Sequence, residues 1–291
     1  PPPVKATPNA RIFKGGVDIQ QTIHALREGN LVLITEFYSN GLTLLHALRA
    51  FLSKHFPNQT YQEQRVFRQE YQKLTQLVIL QIDNHELVVR KSPDIGWLKI
   101  LYPESGRFWL PFPQIQGLNS AWQWYLKGIS IPGLRNKIHP YYGTYFPTRF
   151  EHINLFDQWL SSYSGPKKTA IDIGIGCGVL SLLMMKAGFQ KVYGTDKNPN
   201  AIIGLTESMK GTKLARKIEL SFGHLFAKWE KSTELIVFNP PWLPVSRDLE
   251  RTDQAVYYND TLFREFFIAA KKHLLPTGKL VLLFSNLGQL T

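Results

Sequence analysis

The sequence contains little that could cross-link the chain or hold it in a membrane. Cys177 is the one cysteine among 291 residues, so an internal disulfide bond is excluded. A reducing compartment suits such a chain, and we expect a cytoplasmic protein. No apolar run approaches the roughly 20 residues of a membrane-spanning helix, and the first ten residues lack the pattern of a secretion signal. A membrane partner is therefore not expected.

Acidic residues are also scarce, with 22 Asp and Glu against 34 Lys and Arg, which gives a net charge of +12. Such a charge suits a polyanionic partner such as RNA or DNA, although many basic enzymes bind no nucleic acid. Charge therefore leaves both a nucleic-acid and a protein partner open, and it does not predict the oligomeric state. The basic residues that could contact a nucleic-acid backbone are Arg65, Arg68, Lys73, Arg90, Lys91, Lys99, Arg135 and Lys137.

The patterning of the chain predicts four segments. These are a flexible tail at 1–15, an α+β domain at 16–130, a Gly- and Pro-rich linker at 131–149 and an α/β domain at 150–291. In the α+β domain we expect a strand at 31–38, helices at 39–55, 61–74 and 119–129, a hairpin around Asp83-Asn84, and extended segments at 97–103 and 107–113.

From about residue 150, strands and helices alternate. This order is typical of a doubly wound, mostly parallel, Rossmann-like sheet of the α/β class. Ligands of such sheets bind beyond the carboxyl ends of the strands. We therefore examine the residues that follow each predicted strand.

A glycine-rich loop joins the first strand of this domain to the next helix. Gly174, Gly176 and Gly178 follow Asp172 at alternate positions, and they allow a tight turn and a close approach of backbone N–H groups to a ligand. A dinucleotide loop has its third glycine where this chain has Val179. The loop therefore disfavours an NAD-dependent oxidoreductase and favours a nucleoside ligand without a pyrophosphate.

Two further strand ends carry polar residues. Asp196 ends the second strand, where a carboxylate can accept both ribose hydroxyls of a nucleoside. The apolar run 235–238 ends at Asn239, which is followed by Pro240, Pro241 and Trp242.

Together these motifs resemble those of the class I S-adenosylmethionine-dependent methyltransferases, in the HemK-like branch with an (Asn/Asp)-Pro-Pro-aromatic motif. The resemblance covers about 140–291 and implies S-adenosyl-L-methionine as the cofactor. It also implies that the N-terminal domain recognises the substrate. The cofactor-binding residues that it implies are Asp172, Gly174, Gly176, Gly178, Asp196, Asn198, His224, Leu225 and Asn239, with Phe146, Pro147 and Thr148 closing over the cofactor.

The sequence departs from the family pattern in three places. His224 stands where relatives often carry an aspartate, and Trp242 stands where Tyr or Phe is commoner. The chain ends at Thr291, and from the resemblance we expect it to lack the family's C-terminal strands.

The resemblance implies N-methylation. The Asn239 side-chain oxygen and the Pro240 carbonyl would accept hydrogen bonds from a target amine, while Pro241 and Trp242 would bind its planar group. The target is either a protein glutamine or a base of RNA or DNA. The alternative is a non-catalytic module that binds the cofactor and interacts with RNA or protein.

Overall fold

A computed structural model describes residues 2–3, 9–56, 60–227, 229–244, 257–258 and 261–284. The chain divides into two compact units, Pro1–Gln123 and Trp124–Thr291. The division falls inside the helix Phe112–Lys127, whereas the sequence predicts a boundary between residues 130 and 131. The predicted bounds of the linker and of the two domains remain a prediction of domain organisation.

The N-terminal unit contains a mixed sheet in which the first three strands are parallel and the last two pair antiparallel to the third. Its strands are β1 (Arg11–Phe13), β2 (Val32–Ile34), β3 (Val78–Asp83), β4 (Glu86–Leu87) and β5 (Arg107–Pro111). Its helices are α1 (Ile19–Arg27), α2 (Tyr38–His55), α3 (Tyr61–Thr75), α4 (Trp97–Leu101) and α5 (Phe112–Lys127), the last of which crosses the division. The predicted hairpin is confirmed, because β3 and β4 pair around a turn in which Asn84 and His85 have positive φ angles.

Two expectations for this unit are wrong. The predicted tail at 1–15 includes β1, which pairs with β2 and buries Phe13 to 3% exposure. The segment predicted as extended at 97–103 contains α4, which buries Trp97 and Leu98. Both elements have five residues or fewer, so neither is long enough to display the periodicity from which sequence predictions are made.

The C-terminal unit confirms the predicted α/β class, with a doubly wound, Rossmann-like parallel sheet. Its strands run in the order β12-β9-β6-β7-β8, and all four pairings are parallel. The strands are β6 (Thr169–Ile173), β7 (Lys191–Asp196), β8 (Ile218–Phe222), β9 (Thr233–Phe238) and β12 (Leu274–Leu282), with a separate pair β10 (Leu243–Pro244) and β11 (Tyr257–Tyr258). The helices are α6 (Glu151–Ser162), α7 (Val179–Lys186), α8 (Pro199–Met209), α9 (Leu214–Lys217) and α10 (Leu262–His273).

Apolar layers cover both faces of this sheet, as its apolar strands require. All six residues of β9 are buried. Leu235 and Val237 belong to one core cluster with Leu183 of α7, whereas Ile236 belongs to another with Phe266 of α10. Burying a side chain of this size stabilises the fold by about 1.5–3 kcal/mol, so the central strands are firmly held.

The parallel register brings the carboxyl ends of four strands to one edge of the sheet. Ile173 of β6 pairs with both Thr195 and Phe238, and Asp196 pairs with Phe222. The residues that follow these strands therefore share one edge, as the sequence predicts. Residues 285–291, where the chain was predicted to lack further strands, lie outside the described residues.

Within the described ranges, no helix is long and apolar enough to cross a membrane. The same ranges contain no group of three or more His, Cys, Asp or Glu side chains that could hold a metal ion.

Candidate active site

The glycine loop is fixed by backbone hydrogen bonds and by left-handed backbone conformations. Gly174, Gly176 and Gly178 have φ angles of 68°, 52° and 83°, which disfavour residues with a Cβ. A Cβ at Gly176 would lie 3.2 Å from the Tyr145 carbonyl oxygen. The Ile175 N–H donates to the Thr195 oxygen at 2.9 Å, so the loop is anchored to the neighbouring strand.

Asp172 lies behind this loop and is 1% exposed. Its Oδ2 accepts a hydrogen bond from the Ser181 hydroxyl at 2.7 Å, whereas Oδ1 is buried without a hydrogen-bond partner among the described residues. Burial raises the pKa of Asp172 to about 7, although hydrogen bonds from Ser181 act in the opposite direction. Any contribution of Asp172 to cofactor binding therefore passes through the loop and not through an exposed surface.

Asp196 connects the glycine loop to the start of α8. Its Oδ2 accepts from the Gly176 N–H at 2.9 Å and its Oδ1 from the Asn198 N–H at 2.8 Å. Desolvation raises the pKa of Asp196, and these backbone hydrogen bonds partly offset the rise. Each carboxylate oxygen keeps further acceptor capacity, so the predicted contact with two ribose hydroxyls is compatible with this geometry.

Asn198, predicted to bind the cofactor, has its side chain committed to two other contacts. Its Oδ1 caps α8 by accepting from the Asn200 N–H at 3.1 Å, and its Nδ2 donates to the Gly143 oxygen at 2.7 Å. Asn200 Nδ2 likewise donates to the Tyr142 oxygen at 3.0 Å. These bonds hold residues 141–144 against the start of α8. The side chain of Asn198 therefore positions the segment that precedes α6.

The loop after β8 carries His224 and Leu225. Leu225 has a φ of 47°, and its carbonyl oxygen accepts a hydrogen bond from the Thr195 hydroxyl. His224 is exposed, and its Nε2 lies 3.0 Å from Oε2 of Glu265. Hydrogen bonds from Thr261 and His224 lower the pKa of Glu265. A ligand that used His224 would have to compete with this carboxylate.

Asn239 follows β9, and its amide interacts with Trp242 and Tyr145. Its Oδ1 accepts from the Trp242 indole N–H at 3.1 Å, and its interaction with the Tyr145 hydroxyl opposes the rise that burial causes in the pKa of Tyr145. Because an indole N–H can only donate, the side-chain oxygen must be the atom that faces Trp242. The hydrogen bond from Trp242 thereby determines the orientation of the amide.

Trp242 is held by three contacts and is half-buried. Its Nε1 lies 3.3 Å from the Leu283 carbonyl oxygen as well as near Asn239, and its ring meets the His152 ring at 83° with centroids 5.3 Å apart. Burial lowers the pKa of His152, so the imidazole is neutral at neutral pH. Pro240 is buried, Pro241 is half-buried, and neither follows a cis peptide bond.

Among the residues predicted to close over the cofactor, Phe146 and Pro147 are at least half-buried. Phe146 packs on the core and on Trp124, with ring centroids 5.6 Å apart. Thr148 is exposed. Cys177 is buried, and burial raises the pKa of its thiol to about 12, so it cannot act as a nucleophile at neutral pH.

Sequence reasoning missed Tyr145, His152 and Ser181. Tyr145 and His152 precede Asn239 by some ninety positions in the chain, and no local pattern connects them with it. A signal existed only for Tyr145, since it stands in the aromatic stretch beside Phe146.

The arrangement fits the predicted cofactor. S-adenosyl-L-methionine joins a nucleoside to a group that carries a sulfonium and an ammonium cation. The Asp196 carboxylate lies at this edge with acceptor capacity left on both oxygens, and Asp172 supports the loop from behind with one oxygen that lacks a partner among the described residues. A small cavity of about 30 Å³ lies between Tyr145, His152, Cys177 and Asn239. The loop and Asp196 would hold the nucleoside, and Asn239 faces the cavity beside them.

Comparison with known proteins is consistent with this picture. Residues 154–289 match the family model of the methyltransferase small domain, and this match lies within the C-terminal unit. A protein from Methanocaldococcus jannaschii, provisionally named a protein N5-glutamine methyltransferase, is 32% identical over 125 residues, which are 41% of this chain and 57% of that protein. The ribosomal protein L11 methyltransferase of Vibrio parahaemolyticus is 35% identical over 63 residues, 22% of this chain and 21% of that protein. The chain thus spans little more than half of the first relative and about a fifth of the second.

Solved structures that align with part of the chain include the T. thermophilus 16S rRNA N2 G1207 methyltransferase in complex with AdoMet and guanosine. It aligns with a TM-score of 0.40 and 19% identity, over 53% of this chain and 40% of that chain. The glycopeptide N-methyltransferase MtfA, complexed with S-adenosyl-L-methionine, aligns with a TM-score of 0.33 and 17% identity, over 43% of this chain and 51% of that chain. Residues 154–289 are thus similar to the methyltransferase small domain, and this match supports the predicted cofactor, S-adenosylmethionine.

Proposed function

We propose that this protein transfers a methyl group from S-adenosylmethionine to a planar amide or amino nitrogen. One observation carries the proposal. The Asn239 side-chain oxygen and the Pro240 carbonyl follow β9 at the edge of the sheet where the glycine loop and Asp196 also lie. Two hydrogen-bond acceptors beside the cofactor loop suit a target that carries an NH2 group.

The chemistry requires such acceptors because the lone pair of an amide or aromatic amine is delocalised. S-adenosylmethionine, when bound, supplies an electrophilic methyl group. Accepting both N–H bonds of the target would direct the nitrogen lone pair out of its plane and support the positive charge that develops on it. Proline has no N–H, so Pro240 and Pro241 add no competing donors, and the proton can leave the product nitrogen after transfer.

Trp242 and Tyr145 would keep the Asn239 oxygen in the accepting position. The indole N–H occupies one lone pair of Oδ1 at 3.1 Å, and the second lone pair remains for the target. Tyr145 interacts with the same amide. Burial raises the pKa of Tyr145, so its hydroxyl stays protonated at neutral pH. An amide without these neighbours could rotate and present its donors instead.

The predicted stacking of a planar target on Trp242 remains part of the proposal. Asp172, Asp196 and the glycine loop belong to it as the cofactor-binding residues, with the side chain of Asn198 acting through the segment that it holds. Phe146, Thr148, His224 and Leu225 are proposed to line the cofactor site.

The substrate class rests on two observations that favour different partners. The name of the M. jannaschii relative supports a glutamine side chain of a protein. The net charge of +12 supports a base of RNA or DNA, which would have to be unpaired or flipped out of a duplex. The proposal therefore specifies the nitrogen chemistry and keeps both classes as substrates.

The alternative is a non-catalytic module that binds the cofactor and interacts with RNA or protein. Such a module would need the glycine loop and Asp196 but has no use for an oriented acceptor at Asn239. Calorimetry with S-adenosylhomocysteine and with NAD separates methyltransferase from oxidoreductase. Tight binding of NAD alone would contradict the proposed cofactor.

The experiment that tests the activity uses S-adenosylmethionine with a tritiated methyl group and a cell extract as acceptor. We expect label in macromolecules with the wild-type protein and a near-background level with Asn239→Ala. Separate digestion with protease and nuclease then identifies the acceptor by which treatment releases the label. No labelling by either protein would argue for the non-catalytic module, and equal labelling by both would contradict the role proposed for Asn239.

A further inference from the structure

A second cavity of the C-terminal unit, of about 550 Å³, lies between α7, α8, α9 and residues 134–144. It begins at Gly176–Gly178 and extends along α7 as far as Lys186. Its volume is within the range of small-molecule sites in proteins, about 300–1,000 Å³. The residues assigned above to methyl transfer, Asn239 to Trp242, do not line it.

The charged residues of this cavity are of one sign. The described part of its wall holds no Asp or Glu, and its cationic side chains are Arg135, Lys137, Lys186, Lys213 and Lys217. Lys186 pairs with Asp157 at 2.9 Å, and Lys137 donates to the Lys127 carbonyl oxygen. The other three cationic side chains have no ion pair or hydrogen bond with any described residue. Their charges are therefore available to an anion.

The wall combines apolar side chains with hydrogen-bonding groups. Leu182 and Met185 of α7 line it together with Leu205 and Met209 of α8. Asn136, Ser208 and Thr212 line it as well. The Ser208 and Thr212 hydroxyls donate to backbone carbonyl oxygens, but each keeps acceptor capacity, and a fatty-acid chain would use neither these acceptors nor the Asn136 amide. A nucleobase and ribose offer apolar faces and polar edges together.

We propose that this cavity binds a nucleotide, with its base between α7 and α8 and its phosphate at the cationic residues. The nucleotide is either a free mononucleotide or an unpaired nucleotide of a single-stranded RNA. The site is separate from the cofactor site, although both adjoin the glycine loop. Ser181 lines the cavity and donates a hydrogen bond to Asp172 behind that loop. A nucleotide in the cavity would therefore lie beside a residue that supports the glycine loop.

The first test is a calorimetric titration of the full chain saturated with S-adenosylhomocysteine, so that the adenosine pocket of the cofactor site is blocked. We expect AMP to bind at least about tenfold more tightly than adenosine or octanoate, because only AMP has both the base and the phosphate. Hexa-adenylate distinguishes a free nucleotide from an RNA strand as the natural ligand. If hexa-adenylate competes with AMP and binds more tightly than AMP, the ligand is an RNA strand. If it binds more weakly than AMP, the ligand is a free nucleotide. No binding of AMP to the saturated protein, or a preference for octanoate, would overturn the proposal.

The second test uses matched variants of exposed residues. Ser208 and Thr206 both lie on α8, and each hydroxyl donates to a carbonyl of its own helix, but only Ser208 lines the cavity. We expect Ser208→Trp to weaken AMP binding at least about tenfold and Thr206→Trp to leave it within about twofold. Equal effects of the two substitutions would overturn the proposal.

Charge reversal offers a matched pair with the same change in net charge. Lys213→Glu with Lys217→Glu reverses two exposed charges at the cavity, and Lys271→Glu with Lys272→Glu reverses two exposed charges on α10. We expect a loss of AMP affinity of at least about tenfold for the first pair and less than about threefold for the second. Affinity for S-adenosylhomocysteine should stay unchanged in these two double variants and in the two tryptophan variants, which would show that all four proteins are folded. A loss of similar size in both pairs would indicate non-specific attraction and overturn the site. Because no methyl transfer is measured, failure here leaves the proposed activity standing.

Discussion

The two sides of the candidate active site are held in place by different kinds of contact. The cofactor side consists of residues 174–178 and Asp196. Its hydrogen bonds are donated by backbone N–H groups, such as those of Gly176 and Asn198, which bind the Asp196 carboxylate. The acceptor side consists of residues 239–242 with Tyr145 and His152. It is held together by contacts between side chains. The cofactor side therefore follows from local sequence, whereas the acceptor side depends on distant residues.

The largest expected effect concerns the acceptor side alone. We expect Asn239→Ala to slow methyl transfer by roughly 10²–10³-fold, because it removes one positioned group that interacts with the developing charge. Affinity for S-adenosylhomocysteine should fall by less than about threefold, since that interaction is made in the transition state. Labelled methyl transfer and calorimetry measure the two quantities. A parallel loss of cofactor affinity would break the comparison between the two sides.

The next effect concerns the cofactor side. Asp196→Asn replaces an acceptor of two backbone hydrogen bonds by a neutral amide, and we expect S-adenosylhomocysteine to bind roughly 10–100-fold more weakly. Activity at saturating cofactor should change much less. Asp157→Asn is the control, because Asp157 forms its ion pair with Lys186 on the surface of α6 and α7. The assignment fails if both substitutions weaken binding to the same degree.

A third prediction concerns Asp172 and the pH dependence of stability. The folded protein keeps this proton up to about pH 7, whereas an unfolded aspartate releases it near pH 4. Rising pH therefore favours the unfolded state, and the Asp172 contribution to the free energy of unfolding should fall by about 1.4 kcal/mol between pH 6 and pH 8. Asp172→Asn should remove this fall, as urea unfolding at both pH values would measure. An unchanged difference between the two pH values would show that Asp172 ionises normally.

The smallest effect sharpens the role of Trp242. Trp242→Phe keeps an aromatic ring but removes the N–H bond to Asn239, and we expect kcat to fall about fivefold, in line with one hydrogen bond. The KM for S-adenosylmethionine should not change. Trp229→Phe is the matched control, because the Trp229 N–H is buried without a hydrogen-bond partner among the described residues. Loss of substrate binding with kcat intact would instead indicate that Trp242 serves mainly as a stacking surface.

The backbone of the cofactor side could be predicted from local sequence. Alternate glycines after an apolar run predict a strand, a tight turn and a helix, and Gly174, Gly176 and Gly178 adopt the positive φ angles that such a turn requires. The strand ends at Asp196 and Phe238 were predictable for the same reason, since periodicity defines buried strands. The parallel order of the sheet then follows from alternating strands and helices.

The contacts of the acceptor side and the shortest elements could not be predicted from local sequence. The direction of the Trp242 N–H depends on a side-chain rotamer and on Leu283, which no pattern in residues 239–242 specifies. The contact of Tyr145 with Asn239 depends on how residues 141–144 are fastened to α8. β1 and α4 were missed because three or five residues carry no measurable period.

The central claim is that the acceptor atom is a planar nitrogen. The most direct measurement is to digest the macromolecules labelled from tritiated S-adenosylmethionine to single amino acids and nucleosides and identify the methylated atom by mass spectrometry. We expect the label on nitrogen, in N5-methylglutamine or an amino-methylated base, and its loss with Asn239→Ala. Label on carbon, oxygen or sulfur would contradict the role assigned to Asn239 and Pro240.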